Sequence, residues 1–275
     1  MQANDNYISD TWLLVHTSIG PMCYVLNSGD LKPAVPENRF SKLYADDGDL
    51  VVPSINSSSI PLEVDNISLW AAGCNMTINK NKTKEMIIYK PGPKCHRVIP
   101  PCTPGIQRVR SLKILGIEID ETLSFKPHVD NGCRRAASSL YALKILRSKG
   151  LEGVQLWDVT GQTLIAQLSY ASQVWWGFID DTSRNRYESI IKRLKKLKYL
   201  SSQHESFGEL CSSADSTLFH RALNNKDHVL HHLLPPAKIV PYDMRPRAHN
   251  RCLPKNLSCT QQKNFFNRML YKDSY

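Results

Sequence analysis

Between Arg39 and Pro53 two short apolar runs, Phe40 to Ala45 and Leu50 to Val52, flank Asp46-Asp47-Gly48-Asp49. Apolar runs separated by turn-forming residues predict a β-hairpin. Beyond it Leu62, Ile67, Leu69, Trp70 and Ala71 recur at roughly helical spacing, and Gly73 is placed to end that helix. Met76 to Ile78 and Met86 to Tyr89 read as strands joined by the basic turn Asn79-Lys80-Asn81-Lys82-Thr83-Lys84. Pro91, Pro93, Pro100, Pro101 and Pro104 exclude regular structure, so 90–105 is expected to be a loop. From Ser111 to Asp120 strand character returns, interrupted by Gly116 as at a tight bend.

After Lys126 the period becomes helical. One helix is expected from about Pro127 to Lys149, burying Val129, Cys133, Ala137, Leu140, Tyr141 and Leu146 and stopped by Gly150. A second is expected from Val154 to Trp175. A third, N-capped by Asp181 or Thr182, carries Arg184 to Lys198. Phe207 to Asn224 can form two short helices, and Pro235, Pro236, Pro241, Pro246 and Pro254 predict an extended tail. Strands first and helices afterwards is the α+β pattern.

With 275 residues and 41% hydrophobic content, the chain can bury a core. Its net charge of +10 favours an anionic partner, nucleic acid or an acidic membrane surface. The excess lies beyond residue 65: before it Asp5, Asp10, Asp30, Glu37, Asp46, Asp47, Asp49, Glu63 and Asp65 outweigh Lys32, Arg39 and Lys42. No run approaches the roughly 20 apolar residues of a membrane span, and Trp12 to Val15 is too short for a signal peptide, so an intracellular protein is expected. The Asn-x-Ser/Thr sequons are then chance matches. The cysteines form no C-x-x-C pair, and His249, Cys252 and Cys259 are better read as unligated than as a zinc site.

The adjacent carboxylates Asp46 and Asp47 are a candidate metal site, because like charges repel unless a cation compensates them. Mg²⁺, with few protein carboxylates and the rest of its shell from water and phosphate, suits two-metal phosphoryl transfer. Successive strand residues face opposite ways, so one aspartate should dominate. By itself the dipeptide is more often a solvated turn. The order of further blocks changes the reading. Thr17-Ser18-Ile19-Gly20-Pro21, Tyr44-Ala45-Asp46-Asp47, Trp70 through Asn79-Lys80-Asn81-Lys82-Thr83-Lys84-Glu85-Met86, and Leu112-Lys113-Ile114-Leu115-Gly116-Ile117 resemble reverse-transcriptase palm motifs in their usual order. Tyr170 to Phe178 and Arg268 to Asp273 resemble the thumb and tail of jockey-like, LINE-type non-LTR retrotransposons. The resemblance covers nearly the whole chain.

That resemblance implies a partial polymerase palm of antiparallel strands with a packed helix over 1–105, a primer-grip-like hairpin over 106–126, an all-helical thumb over 127–200 and an irregular C-terminal tail over 201–275. Asp46 would bind metal, with Asp47 beside it, for RNA-directed DNA polymerisation by two-metal nucleotidyl transfer with Mg²⁺. Tyr44 would lie beside the primer end and incoming deoxynucleotide. Lys82, with Lys84 as its competitor, would stand near the departing pyrophosphate, and Gly116 would shape the hairpin gripping the primer. The partners implied are an RNA template and a DNA primer, without a membrane, in the nucleus or the cytoplasm. The family also uses a further aspartate, fingers and an upstream endonuclease. Asp5 and Asp10 have no matching strand context, and His16-Thr17-Ser18 stands where the family has Gln-Gly-Ser. A chain inactive by itself is expected: a non-catalytic nucleic-acid-binding remnant, or the translated fragment of a decayed element.

Arg184, Arg186, Lys192, Arg193, Lys195, Lys196 and Lys198 share their helix with one acid, Glu188. Were Ile190, Ile191, Leu194 and Leu197 turned inward, most of these bases would face outward, as phosphate contacts would. Arg134, Arg135, Lys144, Arg147 and Lys149 extend the basic character to the preceding long helix. Trp175 and Trp176, within an apolar run, are read as core rather than as base-stacking groups.

Overall fold

The computed structural model describes residues 29–44, 47–89, 99–238 and 249–272. The architecture is α+β, with three two-stranded sheets and a predominance of helix among the described residues. The chain divides into two compact units, Met1–Ile87 with Pro93–Val109, and Ile88–Gly92 with Arg110–Tyr275.

In the first unit β1 (Arg39–Tyr44) pairs antiparallel with β2 (Asp47–Val51). Tyr44 is opposite Asp47, Leu43 opposite Gly48 and Lys42 opposite Asp49. Asp47, Gly48 and Asp49 therefore belong to a strand and not to the turn that their composition suggests. Asp47 and Gly48 are exposed, so the ladder gains their backbone bonds without burying charge. Ala45 and Asp46 lie outside the described residues.

Helix α1 (Ile60–Gly73) begins with Pro61, whose missing N–H costs nothing in the first turn. Gly73 is its last residue, and the left-handed position falls two residues later at Asn75, φ 55°. Asparagine tolerates that region, and Met76 N–H donates back to Ala71 O at 2.8 Å. The helix binds the preceding segment through polar groups. Fully buried Glu63 accepts from the N–H groups of Ala34 and Val35, each at 2.9 Å, and from Asn38 Nδ2 at 2.7 Å. Asn66 Nδ2 donates to Lys32 O and Trp70 Nε1 to Asp30 Oδ1, both at 2.8 Å. Residues 63, 66 and 70 recur on one helix face. The indole N–H of Trp70 thus serves the chain before the hairpin.

The expected strands at Met76–Ile78 and Met86–Tyr89 do not form. Instead β3 (Lys84–Glu85) pairs in parallel with β4 (Gln107–Arg108). Glu85 explains the choice: it accepts from Arg108 Nε and Thr103 Oγ1, each at 2.8 Å, fixing the pair across the proline-rich stretch.

In the second unit β5 (Ser111–Ile114) and β6 (Ile117–Asp120) form the expected hairpin. Its two turn residues, Leu115 and Gly116, both have positive φ, 47° and 87°, as the tightest hairpin turns require. Asp120 Oδ1 then accepts from Thr122 N and Ser124 N, turning the chain into α2 (Lys126–Ser148). The buried stripe of α2 is Val129, Ala136 and Leu143, with Cys133 and Leu140 beside it. Of the side chains expected inside, Ala137, Tyr141 and Leu146 are exposed. Adjacent apolar residues at 136–137, 140–141 and 145–146 leave the helix phase ambiguous, and alternating steps of four and three settle it.

The helix expected over Val154–Trp175 is broken into α3 (Gly153–Thr160), a π-helical turn (Gly161–Ile165), α4 (Ala166–Ser169) and α5 (Ser172–Trp175). At the break Ala171 has φ 47°, and fully buried Trp175 donates from Nε1 to the freed Tyr170 carbonyl at 3.0 Å. Helix α6 (Asp181–Lys196) is capped by Asp180, whose carboxylate accepts from Ser183 N at 2.8 Å, one residue before the expected cap. Phe207–Asn224 forms one helix, α7, rather than two, begun by a Ser206–Glu209 capping box. Trp175, Tyr187 and Phe207 centre the core, with Tyr187 and Phe207 ring centroids 4.9 Å apart. Gly132 permits this approach of α2 to α6, since a Cβ there would lie 2.1 Å from the Tyr187 hydroxyl.

The C-terminal region is more ordered than its prolines suggest. Helices α8 (Cys259–Lys263) and α9 (Phe265–Tyr271) follow them, and Phe265, Met269 and Leu270 pack with Phe219 and Leu234. Arg268 Nη1 pairs with buried Asp215 at 2.6 Å, and Lys272 Nζ donates to Ser212 and Ser216. No helix among the described residues is long and apolar enough to cross a membrane.

Candidate functional site

The residues of the expected metal site are only partly described. Tyr44 and Asp47 are opposed on the β1–β2 hairpin, and Asp46 lies outside the described residues. Lys82 is exposed on a turn closed by its own N–H to Asn79 O at 3.0 Å. No hydrogen bond or ion pair among the described residues joins it to Asp47. Gly116 belongs to the other unit, where a local reason for glycine is visible: positive φ, and the Tyr170 ring 3.3 Å from where a Cβ would stand. No group of three His, Cys, Asp or Glu among the described residues is arranged to hold a metal. Asp47 is exposed, and one carboxylate alone does not make a Mg²⁺ site. His249, in the weaker zinc candidate, has its Nε2 2.9 Å from Leu270 O.

The basic helix is fully described; it ends at Lys196, short of the expected Lys198, which follows its C-cap at φ 60°, and the bases of this stretch divide into two sets. Ser183, Tyr187, Ile191 and Leu194 are buried, as a stripe of three- and four-residue steps should be, whereas Leu197 is partly exposed. Three bases serve the fold. Arg184 lies 5.3 Å over the Trp176 ring and pairs with Asp181; Arg186 Nη1 pairs with Asp130 at 2.5 Å; Lys195 Nζ donates to His204 O. Asp130 lies 56 residues away in sequence, so a run of charges gives no sign of that pairing. Lys192, Arg193, Lys196 and Lys198 are exposed and make no side-chain hydrogen bond or ion pair among the described residues.

Glu188, the acid within this run, stands one turn before Lys192 on α6 but makes no ion pair with those four. It accepts from Phe207 N at 3.2 Å and Gly208 N at 2.7 Å, satisfying two orphan donors at the start of α7. The four exposed bases thus have no ion-paired carboxylate among the described residues. Arg193 and Lys196 also lie in the last turn of α6, where cations complement the helix dipole by about 0.3–1 kcal/mol each. That benefit does not need a ligand, so a binding role has to be read from the surroundings as well.

Those surroundings contain a cleft of about 950 Å³ between α2 and α6. Ala136, Leu140, Leu194 and Leu197 contribute apolar surface, while Lys144 and Arg193 contribute charge from the two helices. Arg147 stacks 4.2 Å over Tyr199 and donates from Nη1 to Leu197 O at 2.8 Å, so its cation is held in place. Tyr141, 67% exposed, is the group that a misphased reading of α2 assigns to the core. The four-three stripe through Val129, Cys133, Ala136, Leu140 and Leu143 contains the signal that puts it outside. Trp175 and Trp176 are buried and half-buried, and both pack on Phe207.

Comparison with protein-family models, curated proteins and solved structures finds no match to the chain.

Proposed function

We propose that the chain is the palm-to-tail part of a non-LTR retrotransposon reverse transcriptase and that, by itself, it binds nucleic acid through the outer face of α6. The observation that carries this reading is the disposition of charge. Lys192, Arg193, Lys196 and Lys198 are exposed and make no ion pair among the described residues, and Glu188, the acid of that helix, hydrogen-bonds to the start of α7. A solvated helix face ordinarily mixes signs, and an unbalanced one attracts phosphate irrespective of sequence. An RNA–DNA hybrid, the template and primer together, is the corresponding substrate. Titration of such a hybrid across a range of salt tests the reading. Each phosphate neutralised contributes a slope of about 0.7–0.9 in log K against log salt, so four free bases imply roughly 3.

A second reading, RNA-directed DNA polymerisation, is supported by the antiparallel pairing of Tyr44 with Asp47, the two described residues of the Tyr44-Ala45-Asp46-Asp47 motif. In the intact enzyme Asp46, Asp47 and Lys82 would serve metal-assisted attack of a primer 3′-hydroxyl on a deoxynucleotide. Primer extension on an RNA template with Mg²⁺ separates the two readings. Binding without extension is expected of this chain, and product abolished by Asp46→Asn would favour polymerisation.

A further inference from the structure

An outer helix face suffices to hold phosphates, and the cleft beside it has features that such a face does not need. Among the described residues no aspartate or glutamate lines it, and Lys144 and Arg193 line it from different helices. Leu140 and Leu197 add apolar surface to the same cleft. Tyr141 precedes Lys144 by three residues on α2, so the two share a helix face, and the ring is largely in solvent. An exposed ring next to a cation, over an apolar floor, matches what an unpaired nucleotide offers: a flat base to stack and a phosphate to neutralise. A duplex cannot use that floor, because its bases are already stacked and paired inside. The volume, about 950 Å³, falls in the range of roughly 300–1,000 Å³ typical of clefts that enclose drug-sized molecules, and a nucleotide is of that size.

Resting on the nucleic-acid reading above, we infer that the α2–α6 cleft takes unpaired nucleotides of single-stranded nucleic acid, with a base stacked on Tyr141 and phosphates between Lys144 and Arg193. An acidic amphipathic helix would also complement the charge, but it needs a continuous apolar groove for anchors at successive turns. Here the α6 wall is broken by Asn185 and Ser189, so the floor is a patch rather than a strip.

The test is fluorescence anisotropy on the full chain with a labelled oligo-uridylate, an RNA–DNA hybrid of equal length and, in competition, a Glu- and Leu-rich amphipathic peptide. Tyr141→Ala should weaken the single strand about 5- to 100-fold, the effect of losing one base stack, and leave the hybrid within about twofold. Tyr141→Phe should restore single-strand binding, because stacking needs the ring and not the hydroxyl. Tyr141 is exposed, so its variants should fold, and circular dichroism checks that they do. Unchanged single-strand affinity in Tyr141→Ala, with the hybrid still bound, would overturn the cleft assignment and leave the α6 face standing. Failure of both probes to bind would overturn both. Displacement of the oligonucleotide by the peptide at lower concentration than by unlabelled oligonucleotide would assign the cleft to a protein partner and overturn the inference.

Discussion

The two units hold themselves together by different means. In the first, Ala71 is the one buried apolar side chain among the described residues, and the interior contacts that stand out are polar: Glu63 with Ala34, Val35 and Asn38, and Glu85 with Thr103 and Arg108. In the second, Trp175, Tyr187, Phe207, Leu164, Leu168 and Leu194 fill a continuous core. A buried carboxylate occurs in each unit, Glu63 in the first and Asp215 in the second, but only the second adds a continuous apolar interior. Hydrophobic burial scales with area and tolerates small shifts, whereas a buried carboxylate needs each of its donors. The second unit is therefore the one expected to keep its shape, and with it a surface function, under stress.

The largest effects should come from its core. Trp175→Ala removes a fully buried ring that also satisfies the Tyr170 carbonyl, and should destabilise the second unit by about 3–5 kcal/mol. Denaturant unfolding read by hydrogen exchange would locate the loss there, and an effect confined to the first unit would break the comparison. Next in size, Glu63→Ala should strip acceptors from buried donors and cost the first unit roughly 2–4 kcal/mol.

Acid sharpens the contrast. Burial raises the Glu63 carboxyl, and the N–H groups of Ala34, Asn38 and Val35 more than offset it, so the folded group titrates below its ordinary 4.5. Its stabilisation is then fully present above that value and disappears as pH falls through the depressed folded value. Protection factors along residues 30–38, the exchange rates corrected for their intrinsic pH dependence, should fall on acidification in the wild type, and Glu63→Gln should abolish that fall. Protection that stays constant below pH 4.5 would remove Glu63 as the cause. A smaller change, Gly132→Ala, forces a Cβ against the Tyr187 hydroxyl and should cost about 1–3 kcal/mol by overpacking, measured by thermal unfolding.

How much of this is legible in the sequence depends on the range of the interactions. The β5–β6 hairpin, α1 and α6 are local in origin, set by turn residues, helical period and caps, and their patterns predict them. Tertiary choices are less visible. Tyr141 and Leu140 are equally plausible core residues until α6 approaches at Gly132, and a continuous helix over 154–175 is sensible until Trp175 needs the break at Ala171. Pro235, Pro236 and Pro254 stand outside helices as expected, whereas Pro241 and Pro246 lie outside the described residues, and none of them excludes helices α8 and α9 beyond. At the candidate site, seven clustered bases are evident from sequence. That Arg186 is neutralised by Asp130, and that Glu188 is spent on α7, are contacts across helices that spacing cannot disclose. For Asp46 the motif resemblance remains the basis of its proposed role.

The central claim is that the outer face of α6, and not net charge alone, binds nucleic acid. It is tested by comparing the salt dependence of RNA–DNA hybrid binding for the wild type and two charge-matched variants. One reverses Lys192, Arg193, Lys196 and Lys198 to Glu; the other reverses the exposed Lys226, Lys238, Lys255 and Lys263. The account predicts that the first variant, folded by circular dichroism, loses affinity and that its log K–log salt slope falls by about 3, while the second keeps most of the wild-type slope. Equal losses in the two variants, or an unchanged slope in the first, would contradict it.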